Sequence, residues 1–401
     1  LIVAPALKES NRVSQQLTDF LGQIRSLPDL IETSIWSFEA RARPIFNTPA
    51  IHGIRQIIIA GSGDSYVAAV AAAPALRAWT GLPVQPMVSM EAARYVDLGV
   101  IPRATKGVLV IFLSSSGHGA RSIEAAQRLR ILGCSTLAVT GNIGSPLAGA
   151  VDAVLDVSIP AFPDAPGTRS YVASLMGLLL LGLRIGEVRM CISMDQTNNL
   201  RQAIADLGKT LRDSLPRCEE QTRGTVERWA SSAALQADRG QTSVDVLGSG
   251  PAFGSASYLA AKLIEAPGLH AVAQDAEEFH HLNYFVDLPE LIPTILFAST
   301  HAAAASRTCE LMTTLSVLGR PHLVITDDDT QTHSESRLIM PVVPELLAPL
   351  LHVVPSALLA AFWAEQKGTR HFRGHDGVWH GARGGALVRG SKIELKSIQK
   401  D

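Results

Sequence analysis

Cysteine is scarce. The 401 residues hold four, Cys134, Cys191, Cys218 and Cys309, far apart and without C-x-x-C spacing. This excludes a disulfide framework, fits a reducing compartment and gives no cysteine metal site. An excess of charge of one sign is also missing. Lys and Arg number 35 against 37 Asp and Glu, a formal net charge of −2. There is no basic surplus to attract nucleic acid and no acidic tail. Long hydrophobic runs are few. The longest, near 172–185 (VASLMGLLLLGLRI), is short for a membrane span and is broken by glycine and arginine. A buried helix is expected there. No signal peptide is evident, and the chain opens on Leu1 rather than Met, so the native start is expected upstream and the location cytoplasmic. What remains, 47% hydrophobic and 18% charged, is the composition of a soluble globular chain of two or three domains.

One pattern occurs twice. Strand 54–60 runs into the turn at 61–65 and a helix, within I-I-I-A-G-S-G-D-S-Y at 57–66. Strand 107–113 leads to S-S-S-G-H-G and helix 120–132, followed by strands 135–140 and 151–157 and the apolar helix. In the second half, strand 244–247 leads to G-S-G-P-A-F-G and helix 255–265. Strand 292–299, strand 321–326, a return near 340–343 and helix 346–366 follow. Short buried strands alternating with helices predict doubly wound parallel sheets, and two copies predict an internal duplication. The expected segments are N-terminal helices at 1–45, a first α/β domain at 46–194 and a helical connector at 195–235. A second domain at 236–385 and a tail at 386–401 complete the chain. In such folds ligands sit beyond the carboxyl ends of the strands.

A Gly/Ser turn alone is equally well a tight turn that needs positive φ. The two turns after consecutive strands of the first half are more informative. Together they can enclose a small anionic group with hydroxyls and N–H donors, with no lysine.

At this point the residues resemble a family. G-D-S-Y at 63–66, S-S-S-G-H-G at 114–119 and G-T-R-S-Y at 167–171 are similar to the first sugar-isomerase (SIS) domain of glucosamine-6-phosphate synthase. A-K-L-I-E-A at 261–266, H-A at 270–271, E-E-F-H-H at 277–281 and the helix from 352 resemble its second. The resemblance runs over about 45–395. No segment here resembles that enzyme's glutamine-hydrolysing part, so the expectation is a stand-alone double-SIS enzyme: a sugar isomerase, amino-sugar phosphate deaminase or fructosamine deglycase.

The resemblance implies two three-layer α/β/α sandwiches and a homodimer whose site is shared between chains. It implies that Glu265 moves a proton between C1 and C2 of a sugar, a step that suits a carboxylate. A helix-surface Glu265 paired with Lys262 is the plainer reading of the same residues. His281 falls where the family has a ring-opening histidine, and its neighbour His280 where lysine is common. Glu277 and Glu278 share that loop and could tune the histidine. The expected catalytic set is Glu265, His281, Lys262 and Arg389. The expected substrate-binding set is Gly63, Asp64, Ser65, Ser114, Ser115, Ser116, Gly119, Arg169, Glu278 and His280. Neither a metal nor an organic cofactor is expected, because positioned donors suffice to stabilise an enediolate.

Departures from the family pattern concentrate in the turns. Asp64 and Gly119 stand where threonine hydroxyls are expected, and His118 replaces an acid. An ionised aspartate beside a phosphate is repulsive. Two resolutions remain: Asp64 points outward toward the helix N-terminus, or the substrate carries no phosphate and Asp64 accepts from sugar hydroxyls. Ser62, Ser65, Ser114 and Ser116 remain as donors, and Arg169 or Arg121 could supply compensating charge. Arg389 aligns with a lysine that contacts the open-chain sugar, with Lys392 three residues on. Arginine stays protonated and forms no imine, but it can clamp an anion. The Gly/Arg/His-rich stretch 368–390 could be disordered or fold over the site as a lid. The resulting expectation is an aldose–ketose or amino-sugar isomerase or deaminase acting on a sugar or sugar phosphate, with no nucleic-acid or membrane partner. A fructosyl amino acid deglycase and a non-catalytic sugar-binding regulator are the alternatives.

Overall fold

A computed structural model of the chain describes residues 3–96, 105–232, 243–328, 336–371 and 384–395. Two five-stranded sheets carry it. The first holds β1 (Gln56–Gly61), β2 (Val84–Val88), β3 (Val108–Leu113), β4 (Ser135–Thr140) and β5 (Ala153–Asp156), in the order β2-β1-β3-β4-β5. The second holds β6 (Ser243–Leu247), β7 (His270–Gln274), β8 (Thr294–Ala298), β9 (His322–Thr326) and β10 (Arg337–Ile339), in the order β7-β6-β8-β9-β10. Every pairing is parallel. Counted from its own first strand, each sheet has the same order. The expected pair of α/β sandwiches with internal duplication is the observed architecture.

Central strands are buried on both faces, as parallel sheets require. All six residues of β3 are buried, as are Ile57, Ile58 and Ile59 of β1 and all five of β8. The sequence reading omitted β2 and β7. Both are edge strands, each bonded to a single neighbour. β2 carries Pro86, whose missing N–H is tolerated at an edge, and β7 is mostly half-buried. Neither shows the continuous apolar run that marks an interior strand. The return strand is Arg337–Ile339 rather than 340–343.

The chain divides into two compact units that are not contiguous segments. One, holding the first sheet, comprises Leu30–Pro160, Ser170–Ala205 and Gly374–Asp401. The other, holding the second sheet, comprises Leu1–Asp29, Ala161–Arg169 and Asp206–Arg373. The boundaries drawn from the sequence were contiguous. In the fold the N-terminal helices divide at residue 29, and the long helix Met194–Ser231 divides after 205. Residues 233–235 of the expected connector lie outside the described residues. The helices Arg169–Val188 and Glu345–Gln366 are long and apolar enough to cross a membrane, but both are largely buried inside the protein. Helix Ala348–Gln366 is apolar all round, the mark of a core helix.

The duplication extends to individual backbone angles. Gly63 takes φ 56° and ψ −133°, and Gly250 takes φ 59° and ψ −129°, each immediately before its helix. Residues with a Cβ do not settle there. Two residues earlier, a Cβ on Gly61 would lie 2.7 Å from the Ser65 carbonyl carbon, and one on Gly248 would lie 2.5 Å from the Ala252 oxygen. The G-S-G in both halves therefore lets the helix start directly over the strand end.

Gly61→Ala and Gly248→Ala should each cost about 1–3 kcal/mol, because the obstructing atoms are backbone and cannot rotate away. Gly53→Ala, which meets nothing within 4 Å, should stay within about 0.5 kcal/mol. Urea midpoints of the three variants make the comparison.

Candidate active site

The turns after β1 and β3 open onto a cavity of about 730 Å³ in the unit of the first sheet. Ser62 and Ser65 come from the first turn, and Ser114, Ser115, Ser116 and Gly119 from the second. Arg121 and Ser122 add the start of the helix Ala120–Ile131. Leu387, Val388, Arg389 and Ser391 of the C-terminal tail form another wall, and Met90 and Leu113 complete the lining. Among the described residues the lining holds five serine hydroxyls around the two turns, two guanidinium groups and no carboxylate.

The second turn is held open by its own bonds. Ser114 Oγ accepts the Gly117 N–H at 3.1 Å, and Ser116 Oγ accepts the His118 N–H at 3.4 Å. Each hydroxyl keeps its own hydrogen for another acceptor. Gly117 sits at φ 68°, with Ser145 Oγ only 2.0 Å from where a Cβ would be. The Ser115 carbonyl accepts from the Gly141 N–H at 3.1 Å and the Thr140 hydroxyl at 3.3 Å, tying the turn to the end of β4.

Asp64 does not line this cavity, although its neighbours Ser62 and Ser65 do. It is half-buried in the first turn of the helix Asp64–Thr80, whose N-cap is Gly63. A carboxylate there interacts favourably with the helix N-terminus. The cavity lining therefore takes no charge from Asp64.

Arg169 does not line the cavity either. Its guanidinium donates to Ser26 Oγ at 2.5 Å and lies 4.7 Å over the Phe162 ring, all within the unit of the second sheet. Burial lowers its pKa. Of the two arginines named from the sequence, Arg121 lines the cavity, and Arg389 joins it from helix Gly384–Gly390. Residues 372–383, most of the Gly/Arg/His-rich stretch, lie outside the described residues.

In the second half the corresponding turn is closed by its own chain. Thr326 matches Thr140: each hydroxyl accepts the N–H two residues on, and each carbonyl accepts from the segment beyond. The next residue is Gly141 in the first half and Asp327 in the second. The Asp327 carboxylate accepts from the Ser299 hydroxyl, from the Thr300 N–H at 2.7 Å and from the Thr300 hydroxyl at 2.9 Å. Burial pushes its pKa up, but these donors outweigh that and hold it low. A side-chain carboxylate thus occupies donors that the first half presents to a cavity, and the space beside it is about 20 Å³.

The expected catalytic side chains of the second half form a separate group in their own unit. Glu265 ends the helix Pro251–Glu265, is about half exposed and accepts from Lys262 Nζ at 2.5 Å. Lys262 is fully buried, 5.3 Å from the Tyr258 ring centroid. A buried ammonium needs a counter-charge, so Lys262 fixes the direction of the Glu265 carboxylate. The i, i+3 pairing of the plainer sequence reading is present, and it leaves Glu265 open to solvent.

His281 follows the short helix Ala276–Phe279, capped by Asp275 on the Glu277 N–H. It is exposed, with Nε2 3.5 Å from Glu277, which also accepts from Arg307 at 2.5 Å. Burial raises the Glu277 pKa, but Arg307 outweighs it and holds the carboxyl below its ordinary value. Glu278 is exposed. His280 turns inward, with Nε2 3.2 Å from the Thr314 hydroxyl and its ring stacked on Tyr284. Behind the loop, buried Arg320 donates to Asp245 at 2.6 Å and to the Asn283 carbonyl at 2.7 Å. Sequence reading singled out neither Arg320 nor Asp245, which are 75 residues apart. It also missed Met90, Ser122, Leu387, Val388 and Ser391, which reach the cavity only through tertiary folding.

These features define an α/β protein with a ligand-sized cavity at the strand ends of its first sheet. Residues 50–184 match the SIS domain model. It is 29% identical over 327 residues to glutamine–fructose-6-phosphate aminotransferase (isomerizing) of Pyrobaculum aerophilum, covering 80% of this chain and 50% of that one. The Clostridium acetobutylicum protein of that name is 25% identical over 321 residues, covering 79% and 50%. The chain thus spans about half the length of these curated relatives. The C-terminal domain of glucosamine-fructose-6-phosphate aminotransferase from Francisella tularensis has the same fold. Its TM-score is 0.78 at 18% identity, over 88% of this chain and 97% of that one.

One buried group gives a pH test of the second unit. His352 accepts from or donates to Ser255 Oγ at 2.9 Å. Burial pushes its pKa from the ordinary 6.5 down to about 4, against the opposing charge of Asp327. Unfolded His352 takes up a proton near pH 6.5, which the folded one refuses until about pH 4. Stability should therefore fall as pH drops through that window, by about 3 kcal/mol when complete. His352→Gln should flatten this part of the profile, as measured by urea unfolding between pH 7 and 4.

Proposed function

We propose that the chain is a sugar-phosphate isomerase-type enzyme that binds the anionic end of its substrate in the serine-lined cavity. The single observation that carries this is the lining itself, which among the described residues holds hydroxyls from two strand-end turns, two guanidinium groups and no carboxylate. Such donors suit an oxyanion group, and the position beyond the carboxyl ends of parallel strands is where this fold type binds ligands. The placement of Asp64 outside the lining favours phosphorylated over unphosphorylated sugars. The curated relatives, named for fructose 6-phosphate and for isomerisation, support the substrate class.

The reaction proposed is transfer of a proton between C1 and C2, as aldose–ketose isomerisation or its amino-sugar counterpart, without an organic cofactor. Glu265 is proposed as the base. Its carboxylate is solvent-reachable and oriented by a buried cation, which suits proton abstraction and return. His281 is proposed to assist ring opening. It is followed by an exposed apolar run, with Leu282, Tyr284, Phe285, Val286 and Leu288 all open to solvent. That run supports the proposal that a second copy of the chain covers this loop.

Fructose 6-phosphate, glucosamine 6-phosphate, the unphosphorylated sugars and a fructosyl amino acid should be compared by thermal shift and turnover. The phosphorylated sugars are expected to raise the melting temperature. Glu265→Gln should retain that binding and lose about 10²–10⁴-fold in kcat. Stabilisation only by unphosphorylated ligands overturns the substrate class. Full turnover by the variant overturns the role of Glu265, and binding without turnover by the native chain points to a sugar-binding regulator.

A further inference from the structure

Beneath the cavity wall lies a carboxylate for which the proposed chemistry has no use. Glu124, in the helix Ala120–Ile131, is fully buried. One of its oxygens accepts from Arg94 Nε at 2.9 Å. The other accepts from Arg121 and from the backbone N–H of Glu394 at 3.0 Å. The second terminal nitrogen of Arg121 donates to the Lys392 carbonyl and to Ser391 Oγ, the latter at 3.2 Å. Burial pushes the Glu124 carboxyl up, yet the Arg94 bond, the Glu394 amide and the charges of Arg121 and Arg94 outweigh it and hold it below its ordinary range. Every one of these groups lies in the same compact unit.

Among the described residues, the Arg121–Glu124 pair accepts or donates the hydrogen bonds that tie residues 391–394 to helix 120–131. The tail helix Gly384–Gly390 ends directly before them and supplies Leu387, Val388 and Arg389 to the cavity. Arg121 itself lines that cavity. Arg121 lines the cavity and Glu124 does not, so the acid meets the guanidinium away from the lining. Such an acid orders the arginine.

We propose that Arg121 and Glu124 are positioning residues that seat the C-terminal tail and thereby hold Arg389 at the cavity, so that tail seating and anion binding are coupled through one guanidinium. The proposal rests on the reading of the cavity as the anion site. An anion that approaches Arg121 meets a planar group already fixed on one side by Glu124 and on another by the tail. Its ordering cost is met before binding. Loss of the tail contacts should therefore weaken binding even when no cavity side chain is changed.

The test uses the full chain. Hydrogen exchange of the 386–395 segment is followed without ligand in the native chain and in Glu124→Gln, Arg121→Gln and Glu394→Pro. Titration calorimetry with fructose 6-phosphate and with inorganic phosphate is run in parallel. Glu394→Pro removes the backbone donor to Glu124 together with the Glu394 carboxylate, and Glu394→Ala, which removes the carboxylate alone, isolates the donor, so the test survives should Glu124→Gln fail to fold. The tail should exchange about tenfold faster in Glu124→Gln, Arg121→Gln and Glu394→Pro, the loss of a charge-assisted hydrogen bond. Glu394→Pro should weaken anion binding about five- to tenfold. Equal exchange in the native chain and all variants overturns the seating. Native-like affinity in Glu394→Pro overturns the coupling. Lost tail protection with no anion bound by any protein, the native chain included, upholds the seating and overturns the cavity reading.

Discussion

A strand buried on both faces must leave its sheet through a turn that fits beneath the helix it feeds. In this chain that constraint governs the rest. It requires glycine at 61 and 248, where any side chain would strike backbone, and at 63 and 250, where the chain adopts angles closed to other residues. The same turn points backbone N–H groups and short hydroxyl side chains outward past the strand end. A place to bind an anion is thus a by-product of packing helices closely on a parallel sheet.

The two halves meet this constraint identically at their first turns and differ at the end of the fourth strand. A glycine at 141 leaves the neighbouring serine turn open, whereas an aspartate at 327 fills the matching turn with the chain's own carboxylate. Each outcome satisfies the buried donors, one by a side chain and the other by leaving them accessible to solvent or ligand. The residue after the fourth strand thus marks the difference between the two corners, Gly141 beside a cavity and Asp327 in a packed turn. The second half is then free to position other chemistry, and its buried cations Lys262 and Arg320 orient Glu265 and the His281 loop from behind.

Much of this architecture was legible in the sequence because interior parallel strands are continuous apolar runs and their turns carry Gly and Ser. β1, β3, β4, β6, β8 and β9 announced themselves in that way. The edge strands β2 and β7 did not, since half their surface meets other environments and Pro86 reads as a breaker. The serines of the cavity were also legible, being adjacent in sequence to the strand ends that present them. The position of Asp64 outside the cavity lining was not, because a side chain in the first turn of a helix can face either way until packing chooses. The partners of Arg169 were not legible for a related reason. Its proximity in the family pattern says nothing of Ser26 and Phe162, which hold its guanidinium.

The sequence by itself determined the class of fold, the duplication and the positions of the Gly/Ser turns, because these follow from local periodicity and backbone permissiveness within a few residues. Only the tertiary structure decided which cations reach the cavity and what holds them. Glu124 meets Arg94 across 30 residues and the tail across 270. No local pattern encodes such a meeting. It arises because a buried carboxylate must find donors, and which donors are within reach is fixed only when helix and tail are packed together.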